Sequence, residues 1–513
     1  MIIVYHQNAK IIEVVAINDQ KIRFDYKLTI AAGLHVLAQQ FPNKKILWCS
    51  LNVKEQLNVK GIETLFHHNK MMLSYTPGST NYLGSKMGYV EESPFVNINK
   101  NVSYPTWQMS SLVGVVHASV LIAIKDKIKL DSDFEYYLNS VAKVCMPLGL
   151  LCYSEPKLLR EMGAFTEQRA SVYILFKFVK QHYRARWILI LLLNLLIYEG
   201  KFPLLAHLYS RFFKNRNGKV NDLDVIEVQS SLKVVNKETI DVVIPTIGRK
   251  GYLYNVLCDL REQTHLPQKV IIVEQNPIPE SKSQLDYLHT EEWPFEIDHT
   301  FTHQPGACNA RNIALSKVKS EWFFLADDDV RFNHVFLNEV LGHIKKYGVR
   351  AVSINCSHQE QIQTYFKVFQ WGSFGSGCSV VLSEILKKCE FNLGFEFGYG
   401  EDSDFGMQLR NNGVDVLYLP TPAMLHLRAP IGGFRTKPDL SWKQDTIQPK
   451  PAPTVMLHKM LNETDEQVLS YKTSLFFKYY KFQKIKNPIN YLINYRKQWN
   501  QSLFWANQLK KKS

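Results

Sequence analysis

Trp322-Phe-Phe-Leu-Ala-Asp-Asp-Asp-Val330 is the stretch on which the fold turns. Its apolar start predicts a buried strand, and Asp327, Asp328 and Asp329 follow at the strand's C-terminal end. Adjacent carboxylates at a sheet edge are costly unless water, a hydrogen-bond donor or a cation meets them. A divalent cation carrying a phosphorylated ligand would meet them and bring chemistry with it. The plainer reading is a solvated turn or a helix cap. A second acidic cluster, Gly400-Glu-Asp-Ser-Asp-Phe405, lies further along the chain.

Outward from that strand, the second half alternates strands and helices. Residues 242–244, 269–273 and 351–354 read as strands. Residues 252–263, 306–317 and 334–346 read as helices from the spacing of their apolar side chains. This predicts an α/β fold with a mostly parallel sheet covered by helices. Ligands of such sheets bind beyond the carboxyl ends of the strands, where Glu274, Asp327 and Asp329 fall. No GxGxxG follows the first strand and no GxxxxGK[ST] occurs, so a dinucleotide dehydrogenase and a P-loop NTPase are unsupported.

The chain has 513 residues, enough for two to four domains, and 46% of them are hydrophobic. Its formal charge is +14, and residues 471–513 hold ten Lys or Arg and no Asp or Glu. Aromatic residues interleave with that charge. The pattern fits an anionic membrane surface, or a helical pair packed on the body with a solvated Lys face, and nucleic acid is the least favoured partner. The apolar run Trp187–Tyr198 is too short to span a bilayer. It is either a core helix or an interfacial one, with Lys177, Lys180, Arg184 and Arg186 flanking it. Eight scattered cysteines without a CxxC pair suggest reduced thiols in a cytosol. The N-terminus lacks signal-peptide features, so the expected location is cytoplasmic, peripheral on the inner face of a membrane.

These signals divide the chain into an α/β domain at 1–213, a polar linker at 214–239, a second α/β domain at 240–435, and a Pro-containing loop with a basic tail at 436–513. Small residues at Gly375 and Gly377 let backbone approach a ligand closely, and Trp371 offers an aromatic face beside them; a turn between strands is the alternative.

Residues 240–435 resemble the family 2 glycosyltransferases with the GT-A fold, a Rossmann-like nucleotide-sugar-binding domain. The resemblance rests on Val243-Ile-Pro-Thr246 with Arg249, Val270-Ile-Ile-Val-Glu274, Gly306-Ala-Cys-Asn-Ala-Arg-Asn312, Leu325-Ala-Asp-Asp-Asp-Val330, Gly375-Ser-Gly377, Gly400-Glu-Asp-Ser-Asp-Phe405 and His426, in the family's order. It implies that Asp329 binds Mg²⁺ or Mn²⁺ and that His426 completes the metal site. It implies that Asp327 and Asp328 hold the donor with Pro245, Thr246, Arg249, Glu274, Arg311 and Asn312. Glu274 stands where many relatives carry Asp, which leaves the base open. Arg311 has an alternative as a structural ion pair with Asp327 or Glu321. Asp402 would be the general base, with Glu401 beside it binding the acceptor or orienting its neighbour; the same acids suit a helix cap. Trp371, Gly375 and Gly377 would face the acceptor. Arg428 and Arg435 would pair with the diphosphate, or belong to an ordinary surface loop.

The implied function is inverting transfer of a sugar from a nucleoside-diphosphate sugar to a saccharide or lipid-linked hydroxyl, in surface polysaccharide synthesis. A nucleotidyltransferase and a non-catalytic sugar-binding module are the alternatives. The first half echoes the second, with Asn99-Lys100-Asn101 overlaid on the three acids and Asp133-Phe134 on Asp404-Phe405. That pattern suggests a degenerate GT-A-like domain without metal carboxylates; an unrelated α/β domain is the alternative.

Overall fold

The computed structural model describes residues 1–511 except 79–80, 162–168, 219, 221 and 431–439. The chain forms two compact units. Unit 1 comprises Met1–Leu232 and Thr464–Phe477, and unit 2 comprises Lys233–Glu463 and Lys478–Ser513.

Unit 1 runs β1 (Ile2–Gln7), β2 (Lys10–Ala16), α1 (Ile30–Gln40), β3 (Lys45–Ser50), α2 (Val59–Leu65), β4 (Met71–Tyr75), β5 (Tyr104–Pro105) and β6 (Val113–His117). It continues through α3 (Ala118–Ala123), α4 (Phe134–Cys145), β7 (Leu151–Ser154), α5 (Val172–His182), α6 (Arg186–Glu199) and α7 (Leu204–Ser210). Unit 2 opens with β8 (Ile240–Thr246), α8 (Lys250–Arg261), β9 (Lys269–Gln275), α9 (Tyr287–Thr290), β10 (Glu296–Thr302), α10 (Ala307–Leu315) and β11 (Trp322–Ala326). It continues through β12 (Val330–Arg331), α11 (Phe336–Tyr347), β13 (Ala351–Ser357), β14 (Phe369–Gln370), β15 (Cys378–Leu382), α12 (Glu401–Asn411), β16 (Leu417–His426) and α13 (Pro453–Asn462). Then α14 (Asp465–Tyr480) carries the chain through unit 1, and α15 (Pro488–Lys510) closes unit 2.

The unit 2 sheet has the order β10-β9-β8-β11-β15-β13-β16-β12, with β14 on β16. Strands β10, β9, β8 and β11 are parallel, and β15 is antiparallel to both its neighbours. Every residue of β11 is buried, as a strand covered on both faces requires. Asp241, inside β8, is buried because it accepts from the Lys319 and Ser320 amides at 2.7 and 2.9 Å and from the Ser320 hydroxyl at 2.7 Å. That carboxylate fixes the approach of the chain into β11.

Unit 1 repeats the central path of this sheet. Its order is β2-β1-β3-β6-β4-β7-β5. The run β1-β3-β6-β4-β7 has the same pattern of directions as β8-β11-β15-β13-β16: parallel, antiparallel, antiparallel, parallel. The short β5 lies antiparallel on β7 as β14 lies on β16. Single hydrogen bonds repeat as well. The Ser50 amide donates to the Leu112 carbonyl at 2.7 Å, and the Asp327 amide to Gly377 at 3.3 Å. The Ser110 amide donates to the Ser74 hydroxyl at 3.0 Å, and the Gly375 amide to the Ser353 hydroxyl at 3.4 Å.

This register puts Ser50-Leu51-Asn52 where unit 2 has Asp327-Asp328-Asp329. The overlay of Asn99-Lys100-Asn101 is therefore corrected: residues 94–96 form a 3₁₀ turn, and the strand equivalent to β11 is β3. The overlay of Asp133-Phe134 on Asp404-Phe405 is corrected too, since the helix starts align Asp133-Phe134 with Gly400-Glu401, and one acid survives in that register. Glu135 is the second residue of α4, as Asp402 is of α12. It accepts from the Ser111 amide and hydroxyl, both at 2.9 Å, and Asp402 accepts from the hydroxyl of Ser376, each serine standing two residues before its strand.

Burial pushes the Glu135 carboxyl up to about 7, against the hydrogen bonds from Ser111. A folded-state pKa above the unfolded one favours the fold at low pH, and that advantage is lost as pH rises toward 7. The melting temperature of the wild type is expected to fall between pH 5 and 8, while Glu135→Gln flattens the profile. A shift of this size is worth about 3 kcal/mol above pH 7. Calorimetry of both proteins across that range checks it.

Residues 214–239 are packed rather than free as a linker. Within unit 1, Arg216 forms a buried pair with Asp131 at 2.7 Å, and the Ser231 amide reaches the His67 carbonyl at 2.8 Å. Within unit 2, the amides of Asn236, Lys237 and Glu238 converge on Glu321 at 2.7–3.0 Å. The 436–513 segment is likewise shared between units. In unit 1, α14 donates from Gln467 to the Glu91 and Ser93 carbonyls and from Ser470 to Tyr89. In unit 2, α15 buries Tyr491, Tyr495 and Trp499 and packs along α13.

Candidate active site

The strand ends of unit 2 bring the acids together. After Ala326 the chain turns through Asp327–Asp329 into β12, and β12 pairs antiparallel with β16 so that Val330 stands opposite His426. This pairing sets His426 Nε2 3.2 Å from Asp329 Oδ1. The following segment wraps the same residue: the Leu427 amide donates to the Asp329 carbonyl and the Ala429 amide to Oδ2, both at 2.8 Å. Ligand atoms of Asp327, Asp329 and His426 all lie within 4.8 Å of one another. His358, which the sequence does not single out, lies with its ring 4.8 Å from that of His426 and reaches its carbonyl at 3.2 Å.

Asp328 lies in the same acid run but faces away from that set. It is buried and turned inward, accepting from the Thr246 hydroxyl at 2.6 Å and from Arg249 at 2.5 Å. Arg249 also approaches Asp329 at 3.3 Å. Both residues of the first loop are thus engaged by the acid run in this state. Burial pushes Asp328 up to about 6, and Arg249 works against that shift. Burial acts to raise Asp329 as well, but His426, the Ala429 amide and Arg249 bring it below its ordinary value. His426 is raised by the same contact with Asp329.

The second acidic cluster opens α12. Glu401, Asp402 and Asp404 occupy its first turn, where the helix dipole favours negative charge. Asp404 is structural, accepting from Asn462 at 2.8 Å and Gln408 at 2.9 Å. Glu401 is pushed up to about 7 by burial and by the Asp402 charge, and Asp402 is raised mainly by burial. Arg311 opposes both shifts.

Two adjacent residues join the clusters. Ser376 donates to Asp402, while Gly377 lies against Asp327 so closely that a Cβ there would fall 2.1 Å from Asp327 Oδ2. Arg311 reaches Asp327 at 3.2 Å with its Nε buried and without a partner, so the ion pair with Asp327 is formed and the one with Glu321 is not. Gly377→Ala is expected to displace Asp327 and to lower turnover roughly a hundredfold, the usual cost of a 1 Å misplacement. Steady-state kinetics at unchanged melting temperature checks it.

Other expected site residues fall differently. Asn312 spends both ends of its amide on the backbone of Phe391, at 2.7 and 2.8 Å, and so anchors a loop. Glu274 stands beside Thr246 in the sheet register, yet its carboxylate is held by His299 at 3.0 Å and by the Gln284 amide at 3.1 Å. Pro245 is half-buried in β8. The Trp371 ring packs edge-on against Tyr418 at 5.5 Å, which occupies one side of the proposed sugar platform. Gly375 donates into the sheet at Ser353. Arg428 is exposed, with φ 56°, in the segment that wraps Asp329. Arg435 lies outside the described residues.

Glu396 was missed from the sequence. It accepts from the Cys308 and Asn309 amides at 3.1 and 2.9 Å, capping the helix that presents Arg311. No local pattern marks it, because the partners lie far away in sequence.

The residues fit a divalent cation. Two carboxylates and an imidazole converge, and Asp329 Oδ1 is buried without an aligned hydrogen bond. An orphaned acceptor facing a second ligand atom is what a shared cation would satisfy.

Residues 241–373 match the family model of glycosyl transferase family 2. That match lies wholly within unit 2. Among solved structures, the chain is similar to S. aureus TarS, at 15% identity over 48% of this chain and 44% of that one, with a TM-score of 0.33. The TarS fragment 1–349 with UDP-GlcNAc matches at 15% identity over 53% and 81%, TM-score 0.34. GalNAc-T7 with UDP, GalNAc and Mn²⁺ matches at 11% over 53% and 59%, TM-score 0.36. The match thus spans under half of the full TarS chain, and at these scores the neighbours add nothing to the family match. A comparison with curated proteins finds no match.

Proposed function

We propose that unit 2 transfers a sugar from a nucleoside-diphosphate sugar to a hydroxyl of a saccharide or lipid-linked acceptor, with inversion at the anomeric carbon. The observation that carries this reading is the adjacency of Ser376 on Asp402 and Gly377 on Asp327, which joins a buried carboxylate pair to the Asp327-Asp329-His426 set.

A departing diphosphate needs positive charge. Asp329 and His426, with Asp327, would hold Mg²⁺ or Mn²⁺, and such an ion supplies charge stabilisation for phosphate oxygens. Imidazole in the set favours Mn²⁺ over Mg²⁺. Arg311, fixed by Asp327 and by the Glu396-capped helix, adds a second positive group at the same rim. Arg249 and Thr246 would turn from Asp328 toward the nucleotide, and Arg428 toward the diphosphate. Asp402 accepts the proton of the acceptor hydroxyl; the oxygen forms its bond to the anomeric carbon as the bond to phosphate breaks and the diphosphate leaves with the electron pair. Desolvation raises the pair Glu401–Asp402 so that one carboxyl can retain that proton.

Unit 1, with Ser50-Leu51-Asn52 at the equivalent strand end, is a non-catalytic copy of the scaffold in this reading. Surface polysaccharide synthesis at the inner face of a membrane is the process we infer. Incubating the protein and Mn²⁺ with UDP-, GDP- and dTDP-sugars and following diphosphate release tests the reading. Release from at least one donor supports it. Turnover of nucleoside triphosphates in place of every donor refutes it.

A further inference from the structure

Unit 1 leaves a large apolar surface uncovered. Helix α6 buries Trp187, Ile188, Leu191, Asn194 and Leu195 and turns its other side outward. Leu189 is 59% exposed and Ile197 54%, Phe202 in the connecting turn is 55% exposed, and on and after α7 Leu205 reaches 69% and Phe212 85%. Helix α7 is one-sided as well, burying Ala206, His207 and Ser210 beneath that face. Scattered exposed apolar residues need no explanation, but a run of them on two consecutive helices marks an interaction surface.

The charge around it selects the occupant. From 184 to 214 the basic residues are Arg184, Arg186, Lys201, Arg211 and Lys214, all exposed, and Glu199 is the only acid. Glu199 is itself half-buried and already paired with Lys86 and Lys201. A second copy of the same face would bring like charges together, whereas an anionic surface would meet them with opposite charge. At fourteen residues α6 is about 21 Å long, short of the roughly 30 Å of a bilayer's hydrocarbon core. Among the described residues no helix is long and apolar enough to cross a membrane. An apolar face rimmed by Lys and Arg on helices of this length suits a position in the plane of the interface.

We propose that α6, the turn at Phe202 and α7 form a docking surface for an anionic lipid bilayer. The C-terminal tail is the weaker candidate, because α15 turns Tyr491, Tyr495 and Trp499 into its own unit. The proposal does not rest on the chemistry of unit 2.

Co-sedimentation of the full chain with vesicles of equal parts phosphatidylglycerol and phosphatidylcholine tests it. The wild type is expected to bind, with binding weakened by salt and by replacing the anionic lipid with phosphatidylcholine. The double variant Leu205→Glu/Phe212→Glu is expected to lose at least about tenfold in partition at an unchanged melting temperature. The tail variant Phe482→Glu/Ile489→Glu is expected to bind as the wild type does. Four results overturn the proposal: no binding by the wild type, equal binding to neutral vesicles, undiminished binding by the α7 double variant, or light scattering that shows a dimer dissociated by that variant.

Discussion

Asp329→Asn is expected to reduce sugar transfer at least about 10³-fold, the scale on which metal and oxyanion stabilisation act. The carboxylate is buried, faces His426 at 3.2 Å and is wrapped by the 427–429 backbone. Asparagine keeps the shape and the acceptor for the Ala429 amide, but removes the charge that a divalent ion requires. Loss of folding is the obvious confounder, so the variant's melting temperature is measured beside its turnover. His426→Ala, at a half-buried position, gives a second readout. Its activity should recover in part with rising Mn²⁺ concentration, because one ligand of the set remains replaceable by water. Wild-type turnover in Asp329→Asn would remove this residue from the mechanism.

Asp402→Asn is expected to lower kcat by roughly 10² to 10⁴ while leaving donor affinity unchanged, since a general base acts on the acceptor proton and not on donor binding. The sign of the pH effect follows from burial. A base works deprotonated, and the Glu401–Asp402 pair is raised, with Glu401 pushed to about 7. Wild-type kcat should therefore show an acid limb displaced above the ordinary carboxylate range, and the variant should change that limb. Both clauses are checked by a pH–rate profile with donor at saturation. A rate loss that appears only in KM would reassign Asp402 to binding.

The strands of unit 2 with purely apolar cores were legible in the sequence, because burial on both faces writes itself as a run of Val, Ile, Leu and Phe. Strand β10 was not, since Glu296–Thr302 is half-buried and reads as polar. Strand β15 was hidden by its length and by the glycines before it, and with it the antiparallel turn of the sheet's centre. In the site, Asp329 and His426 came through the family pattern. The inward turn of Asp328, the cap at Glu396 and the anchoring of Asn312 depend on partners distant in the chain, which no local signal encodes. In unit 1, Asn99-Lys100-Asn101 mimics the acids of unit 2 as a run of three polar residues after apolar ones. The equivalent Ser50-Leu51-Asn52 follows the apolar Ile46-Leu-Trp-Cys49, and only the hydrogen-bond register reveals it.

The most direct test of the central claim is calorimetric titration of a nucleoside diphosphate into the protein, with and without Mn²⁺, for the wild type and Asp329→Asn. Affinity is expected to rise at least about tenfold with Mn²⁺ in the wild type and not in the variant, as binding through a shared cation requires. Equal affinity in the presence and absence of the metal, or an undiminished gain in Asp329→Asn, would contradict it.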